Sequence, residues 1–215
     1  MRLASENIPL LDKAFIYKTA TKMYDNFFNL RCLPGGRGLY SMCDKILDKR
    51  LYPALFNCTA VSTFNHINPV LPFIYAMDML MLGVGVGFDT KSKVFISKPD
   101  DNFEKLVIIS DSREGWVDAL KELLQSYFYE NKITVLFDYS AIRPAGEPLK
   151  IFGGISSGHE PLQKMLENIR LTLDRNVGRL ITTRTIVDIM NHIGVCVISG
   201  NIRRSAQIAL GDSTD

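Results

Sequence analysis

From residue 55 to residue 210, short β-prone runs alternate with segments of helical period, and this alternation leaves few architectures open. "LFNCTAVST" (55–63), "GVGVGFDT" (83–90), "ITVLFD" (133–138) and "AQIAL" (206–210) are short, apolar and read as extended. Between them lie a buried helix at 73–82 and helices at 116–128, 161–174 and 183–197. The clearest is the amphipathic run Trp116, Val117, Leu120, Leu123, Leu124, Tyr127 and Phe128. Strands separated by helices predict an α/β fold with mostly parallel strands. No repeat, low-complexity tract or long linker interrupts the pattern, so one domain is the simplest organisation.

Outside these segments the signals are weaker. Residues 11–30 place Phe15, Ile16, Ala20, Met23, Tyr24, Phe27 and Phe28 at helical spacing, which predicts a helix with one buried face. "LPGGRG" (33–38) breaks that pattern, and 39–56 is a mixed connection. "SKPDDNFEK" (97–105) is polar and reads as a surface excursion. Asp111 and Glu114 flank the start of the 116–128 helix in the manner of a capping box.

Bulk properties exclude several partners. With 47% hydrophobic and 22% charged residues the chain is an ordinary globular one. A net charge of +2 gives no field suited to duplex nucleic acid or an anionic membrane, so nucleotide binding has to be local. No apolar run approaches the roughly 20 residues of a membrane span. Glu6, Asp12 and Lys13 interrupt any signal-peptide core. These features predict a soluble cytoplasmic protein with free thiols. Cys32, Cys43, Cys58 and Cys196 form no CxxC pair and stand at no zinc-site spacing to His66, His159 or His192, so no metal site is expected.

Four motifs admit a functional and a structural reading. Gly83, Gly85 and Gly87 do not form a dinucleotide fingerprint, but they bare one side of an extended segment, for packing or for close approach of a ligand. "FGGISSGHEP" (152–161) offers backbone N–H groups to a phosphate at a helix start, although Pro161 suits a first helical turn without any ligand. Cys58 in a strand is a small hydrophobe or a redox thiol. Arg203 and Arg204 are solvated surface groups, or bidentate donors to phosphate, carboxylate or base edges.

The stretches "LPGGRGL", "FNCTAVST", "LMLGVGVGFDT", "DSREGWVDAL", "FDYSAIRPAGEPLKIFGGISSGHEPL" and "GRLITTRTIVDIMNHIGVCVISGNIRRSAQIALGD" together resemble the monomeric adenosylcobalamin-dependent (class II) ribonucleoside-triphosphate reductases, from about Leu33 to the C-terminus. The resemblance implies an α/β fold, the first half of a ten-stranded barrel, with a helical effector-binding insertion at approximately 89–132. It implies that residues 1–215 are a partial barrel domain whose C-terminal half is missing. Cys58 matches one cysteine of the family's active-site dithiol, which supplies two electrons by becoming a disulfide. Asn57 and Gly85 match positions lining the substrate pocket, and Pro34, Gly35 and Gly36 match a substrate-phosphate loop. Ser199, Gly200, Asn201, Ile202, Arg203, Arg204 and Ser205 match the specificity loop between effector and substrate base.

The same resemblance implies a ribonucleoside triphosphate substrate, a deoxynucleotide effector, a thioredoxin-type reductant and adenosylcobalamin as cofactor of the whole enzyme. The family's radical cysteine and catalytic glutamate lie in an Asn-Pro-Cys-Gly-Glu-like motif that does not occur here. The expectation is therefore a fragment, inactive alone, whose second half is a separate polypeptide or has been cut away. The alternative is a non-catalytic nucleotide-binding or regulatory module, or an inactive remnant.

Overall fold

The computed structural model describes residues 12–33, 35, 36, 38, 46, 48–65, 67–129, 133–148, 155–199 and 206–212. The chain divides into two compact units, 1–55 and 56–215. The first holds helix α1, Lys13–Phe28, opened by the Asp12 carboxylate, which accepts from the Ala14 N–H at 3.0 Å. A short 3₁₀ turn, Tyr52–Leu55, closes the unit. The helix forms where its period predicts, but none of its residues is buried, so the expected buried face is not found. Phe15, Tyr17, Tyr24 and Phe28 are exposed, and the Tyr24 and Phe28 rings, one turn apart, stack at 5.9 Å.

The second unit runs β1 (Cys58–Val61), α2 (Leu71–Met81), β2 (Gly85–Asp89), β3 (Asp100–Ile108), α3 (Arg113–Phe128), β4 (Ile133–Asp138), α4 (Glu160–Asp174), α5 (Thr183–Ser199) and β5 (Gln207–Leu210). Strands β1, β2 and β5 form one parallel sheet with β2 in the centre; β3 and β4 form a second parallel pair. The first two strands of each sheet are linked by a helix, α2 or α3, as parallel pairing requires. The alternation in the sequence thus reads out as the mixed α/β fold it predicts.

α2 is apolar nearly throughout and buries Pro72, Phe73, Ala76, Met77, Met79 and Leu80. Pro72 sits in its first turn, where the missing N–H costs nothing. Its end is a Schellman motif: Gly83, at φ +76°, donates to Leu80 O at 2.8 Å, and Val84 donates to Met79 O at 3.0 Å. α4 buries Leu162, Met165, Leu166, Ile169 and Leu173, one stripe of a 3.6-residue period, each contributing roughly 1.5–3 kcal/mol. Arg170 of α4 donates to Val135 O at 2.6 Å, and the Tyr127 hydroxyl donates to Asp174 at 2.6 Å, joining α4 to β4 and α3. Burial and the Asp174 carboxylate push the Tyr127 phenol well above its ordinary value.

Two local expectations change. The polar stretch 97–105 is not a surface excursion, because nine residues from Asp100 form β3. Almost every side chain of this strand is exposed, so no apolar alternation marks it. Pairing with β4, with an irregularity between Asp100 and Glu104, holds it instead. At α3, Ser112 is the cap, accepting from Gly115 N–H at 3.0 Å. Asp111 accepts from Arg143 at 2.6 Å, and Glu114 accepts from Arg113 at 2.6 Å.

At the C-terminal end of β2, Asp89 gathers the chain after β1. Its carboxylate accepts from Ser62 Oγ at 2.6 Å, Thr63 N–H and Oγ1 at 2.8 Å each, and Lys91 N–H at 3.3 Å. Burial pushes this acid upward, but the hydrogen bonds from Ser62, Thr63 and Lys91 outweigh it and hold the pKa below the ordinary carboxylate value. A depressed folded pKa gives stability that is complete above the unfolded value of about 3.9 and is lost as pH falls through the folded one. Asp89→Asn is therefore expected to melt below the parent at neutral pH, with the gap closing on acidification below about pH 4. A gap independent of pH would show that the charge of Asp89 is not what holds this corner.

Among the described residues, no helix is long and apolar enough to cross a membrane, and no group of three or more His, Cys, Asp or Glu is placed to hold a metal ion.

Candidate active-site face

The parallel register assigns side chains to faces. Cys58 is opposite Gly85, Ala60 opposite Gly87, and Gly87 opposite Ile208. Partners in a parallel ladder share a face, and neighbours along a strand alternate. One face carries Thr59, Val61, Val86 and Phe88; the latter two are buried, and α2 packs on this side. The other carries Cys58, Ala60, Gly85, Gly87 and Ile208. Cys58, Ala60 and Ile208 are exposed there, so this face is open and mostly floored by small residues.

The three central glycines have separate causes. Gly83 ends α2 and needs its positive φ. Gly85 and Gly87 do not: a Cβ at Gly85 would meet nothing closer than Ala206 O and Asn57 O at 3.6 Å, and one at Gly87 would meet Ile208 Cγ2 at 3.4 Å. Both are ordinary contact distances, so internal packing leaves room for a methyl group at either position.

The structure brings Asn57, Cys58 and Gly85 together at the N-terminal end of this sheet. Gly85 N–H donates to Asn57 O at 2.9 Å, and Val86 N–H donates to Ala206 O at 2.9 Å. Ala206 immediately follows the expected specificity loop, so the chain leaves that loop beside Gly85. Gly200, Asn201, Ile202, Arg203, Arg204 and Ser205 lie outside the described residues. Ser199 belongs to the last turn of α5 rather than to a loop, and its hydroxyl donates to Val195 O at 2.8 Å. Gly35 and Gly36 are exposed in the first unit, and Pro34 lies outside the described residues.

The cysteines differ sharply in environment. Cys58 is exposed on the open face, and Cys32 is exposed in the first unit. Cys196 is buried in α5, and that burial pushes its thiol up to about 12, which keeps it protonated. His159 stands before α4 with its ring 5.6 Å from that of Tyr139, and half-buried His192 is shifted toward its neutral form by burial. Among the described residues, neither belongs to a group placed to hold a metal ion. Sequence reasoning missed Thr59 and Tyr75, whose hydroxyls lie 2.7 Å apart behind Cys58. A tyrosine on a helix whose only other polar side chain is Asp78 was the available signal.

The second unit is thus an α/β protein with an exposed thiol on a parallel sheet floored mostly by small residues, beside a layer of helix and paired strands. Comparison with known proteins supports that class and narrows it. Residues 84–173 match the insertion domain of B12-dependent ribonucleotide reductase. The chain is 44% identical to a probable adenosylcobalamin-dependent ribonucleoside-triphosphate reductase of Dictyostelium discoideum, over 91% of this chain and 28% of that protein. It is 45% identical to the adenosylcobalamin-dependent ribonucleoside-triphosphate reductase of Euglena gracilis, over 89% of this chain and 27% of that protein. A crystal structure of a B12-dependent (class II) ribonucleotide reductase shares the fold, with a TM-score of 0.78 at 24% identity, over 99% of this chain and 36% of that one. The chain is thus similar to one segment of the adenosylcobalamin-dependent ribonucleoside-triphosphate reductases and spans under a third of the length of these two proteins.

Proposed function

We propose that the chain forms part of the nucleotide-reducing site of an adenosylcobalamin-dependent ribonucleoside-triphosphate reductase. The observation that carries this reading is the exposed Cys58 thiol, paired across the sheet with a glycine whose bare backbone the protein's own packing does not require. Replacing a ribose 2′-hydroxyl by hydrogen consumes two electrons. Two thiols supply them: their sulfurs join as a disulfide and the oxygen leaves as water. Cys58 is one of these thiols. By the resemblance the second lies in the part of the relatives that this chain does not span: Cys32, Cys43 and Cys196 stand in none of the family's cysteine motifs, and Cys196 is in addition buried and protonated.

Asn57 and Gly85 are the residues that would meet the ribose, and by the resemblance Pro34, Gly35 and Gly36 belong to a substrate-phosphate loop. By the resemblance, the segment 199–205 couples the effector to the choice of substrate base, with Arg203 and Arg204 as charged donors to base edges or phosphate. The inserted segment, about 89–132 and within the matched span 84–173, takes the deoxynucleotide effector. Adenosylcobalamin supplies the radical chemistry of the whole enzyme. None of the described residues is assigned to its binding. A thioredoxin-type dithiol returns Cys58 to its reduced state, and a separately encoded second half is one way the site is completed.

The test is a chimera in which these residues replace the matching segment of the Dictyostelium discoideum relative. The chimera is expected to reduce ribonucleoside triphosphates with adenosylcobalamin and a dithiol, whereas the 215-residue chain alone forms no deoxynucleotide. A folded chimera that binds nucleotide but does not reduce it would favour a regulatory module. That second reading has its own support, because the family-model match is to the insertion domain.

A further inference from the structure

α2 carries only two polar side chains, Tyr75 and Asp78, and both are bonded to other elements. The Tyr75 hydroxyl lies 2.7 Å from Thr59 Oγ1, on the residue that follows Cys58 and on the opposite face of β1. Asp78, in the last turn of α2, accepts from Arg113 in the first turn of α3. Arg113 also donates to Glu114 at 2.6 Å and is only 21% exposed. At the other end, Asn68 accepts from Leu71 N–H at 3.1 Å, so it belongs to the start of α2. It also accepts from the hydroxyl of Tyr129, the C-cap of α3, at 3.1 Å. α3 is thus pinned to α2 at both of its ends, while α2 is pinned to the Cys58 strand near its middle.

We propose that α2 is a strut that sets the Cys58 strand relative to the inserted layer, with Tyr75 as the positioning residue on the strand side and the Asp78–Arg113 pair as the fastening on the insertion side. The assignment of Tyr75 as positioning the thiol rests on reading Cys58 as redox-active; the mechanical coupling does not. An apolar helix resists sliding only weakly, because apolar contact is non-directional. Directional bonds at fixed points remove that freedom, and a change at α3 then reaches β1 through a connected path.

The experiment is hydrogen exchange, read by mass spectrometry on the 215-residue chain without nucleotide, so its outcome is independent of reductase activity. Peptides covering 58–61 report the strut, and those covering Ile186–Met190 in α5 report global stability. Tyr75→Phe and Thr59→Val are each expected to speed exchange at 58–61 by about fivefold with the α5 peptides unchanged. Thr59→Ser, which keeps the hydroxyl, restores the parent rate.

Arg113→Ala is expected to speed exchange at 58–61 as well, although its own bonds run to Asp78 and Glu114. The double variant Tyr75→Phe/Arg113→Ala then falls short of the product of the two single effects, as it must if both act through one element. If Arg113→Ala unfolds the chain, Tyr129→Phe, which loses only the bond to Asn68, is the milder probe. Acceleration confined to α3, or fully multiplicative effects in the double variant, would overturn the strut. Failure of Thr59→Ser to restore the rate would remove Tyr75 from the positioning role. Alkylation of Cys58 by iodoacetamide, followed in the same variants, is expected to change in parallel with exchange at 58–61.

Discussion

Cys58→Ser, in a complete reductase containing this segment, is expected to reduce sustained deoxynucleotide formation to background while leaving nucleotide affinity as it was. The argument is stoichiometric. Two thiols must become one disulfide for each hydroxyl removed, and serine matches cysteine in size but cannot form that bond. Cys58 is exposed on the open face of the sheet, so the substitution opens no cavity and unpairs no buried group. The variant should therefore fold and melt close to the parent. Cys196→Ser is the control. Its thiol is buried and raised to about 12, and thiol–disulfide exchange needs the thiolate, so turnover should survive that change. Steady-state turnover with an external dithiol and equilibrium nucleotide binding are the two measurements. If Cys58→Ser turned over at the parent's rate, Cys58 would be an ordinary strand residue and the redox role would pass to another thiol.

The fold was legible where it depends on local pattern and illegible where it depends on contacts between distant residues. The alternation of β-prone and helical segments predicted parallel strands, and β1, β2, β4 and β5 stand where short apolar runs predicted them. β3 was hidden because a strand with nearly all side chains exposed carries no apolar period, and its Asp-Asp-Asn start reads as loop. α1 shows the converse: seven apolar positions at helical spacing predicted a helix and a buried face, and the structure has the helix without the burial. Periodicity reports which residues share a face, and something else must supply the cover. The cap of α3 moved from Asp111 to Ser112 because Arg143, distant in sequence, takes the aspartate. No local pattern contains that competition.

Gly85 and Cys58 were singled out separately, and only the register showed them opposite one another. The Thr59–Tyr75 bond spans sixteen positions and has no sequence signature beyond one hydroxyl on an apolar helix. The conformational roles of Gly83 and Gly85 were likewise inseparable in "GVGVG". Only backbone dihedrals and contact distances show that one ends a helix while the other leaves a methyl-sized space.

Placing alanine at two glycines is expected to give opposite results, and the contrast separates folding from ligand approach. At Gly115, in the first turn of α3, a Cβ would lie 2.2 Å from Ser110 Oγ and 2.6 Å from Ser110 O. The hydroxyl can rotate away, but the carbonyl cannot easily withdraw. It accepts from Ser112 N–H at 2.8 Å, and Ser112 in turn caps the helix through Gly115 N–H at 3.0 Å. Gly115→Ala must therefore distort the cap or lose it, at a cost of about 3 kcal/mol. In a chain of this size that lowers Tm by roughly 6–12 °C. At Gly85 the nearest atoms to a Cβ are 3.6 Å away, so Gly85→Ala should change stability by no more than about 1 kcal/mol. Its methyl group instead projects into the open face beside Cys58, where the proposed substrate lies. A ligand in van der Waals contact with that backbone would have to retreat, and a nucleotide affinity at least about tenfold weaker is expected, equivalent to about 1.4 kcal/mol. Thermal melts of both variants and nucleotide binding in the complete enzyme measure the contrast. Parent-like melting of Gly115→Ala would show that the Ser110 approach is not a constraint. Parent-like nucleotide affinity of Gly85→Ala would show that the bare backbone at Gly85 serves the sheet and not the substrate.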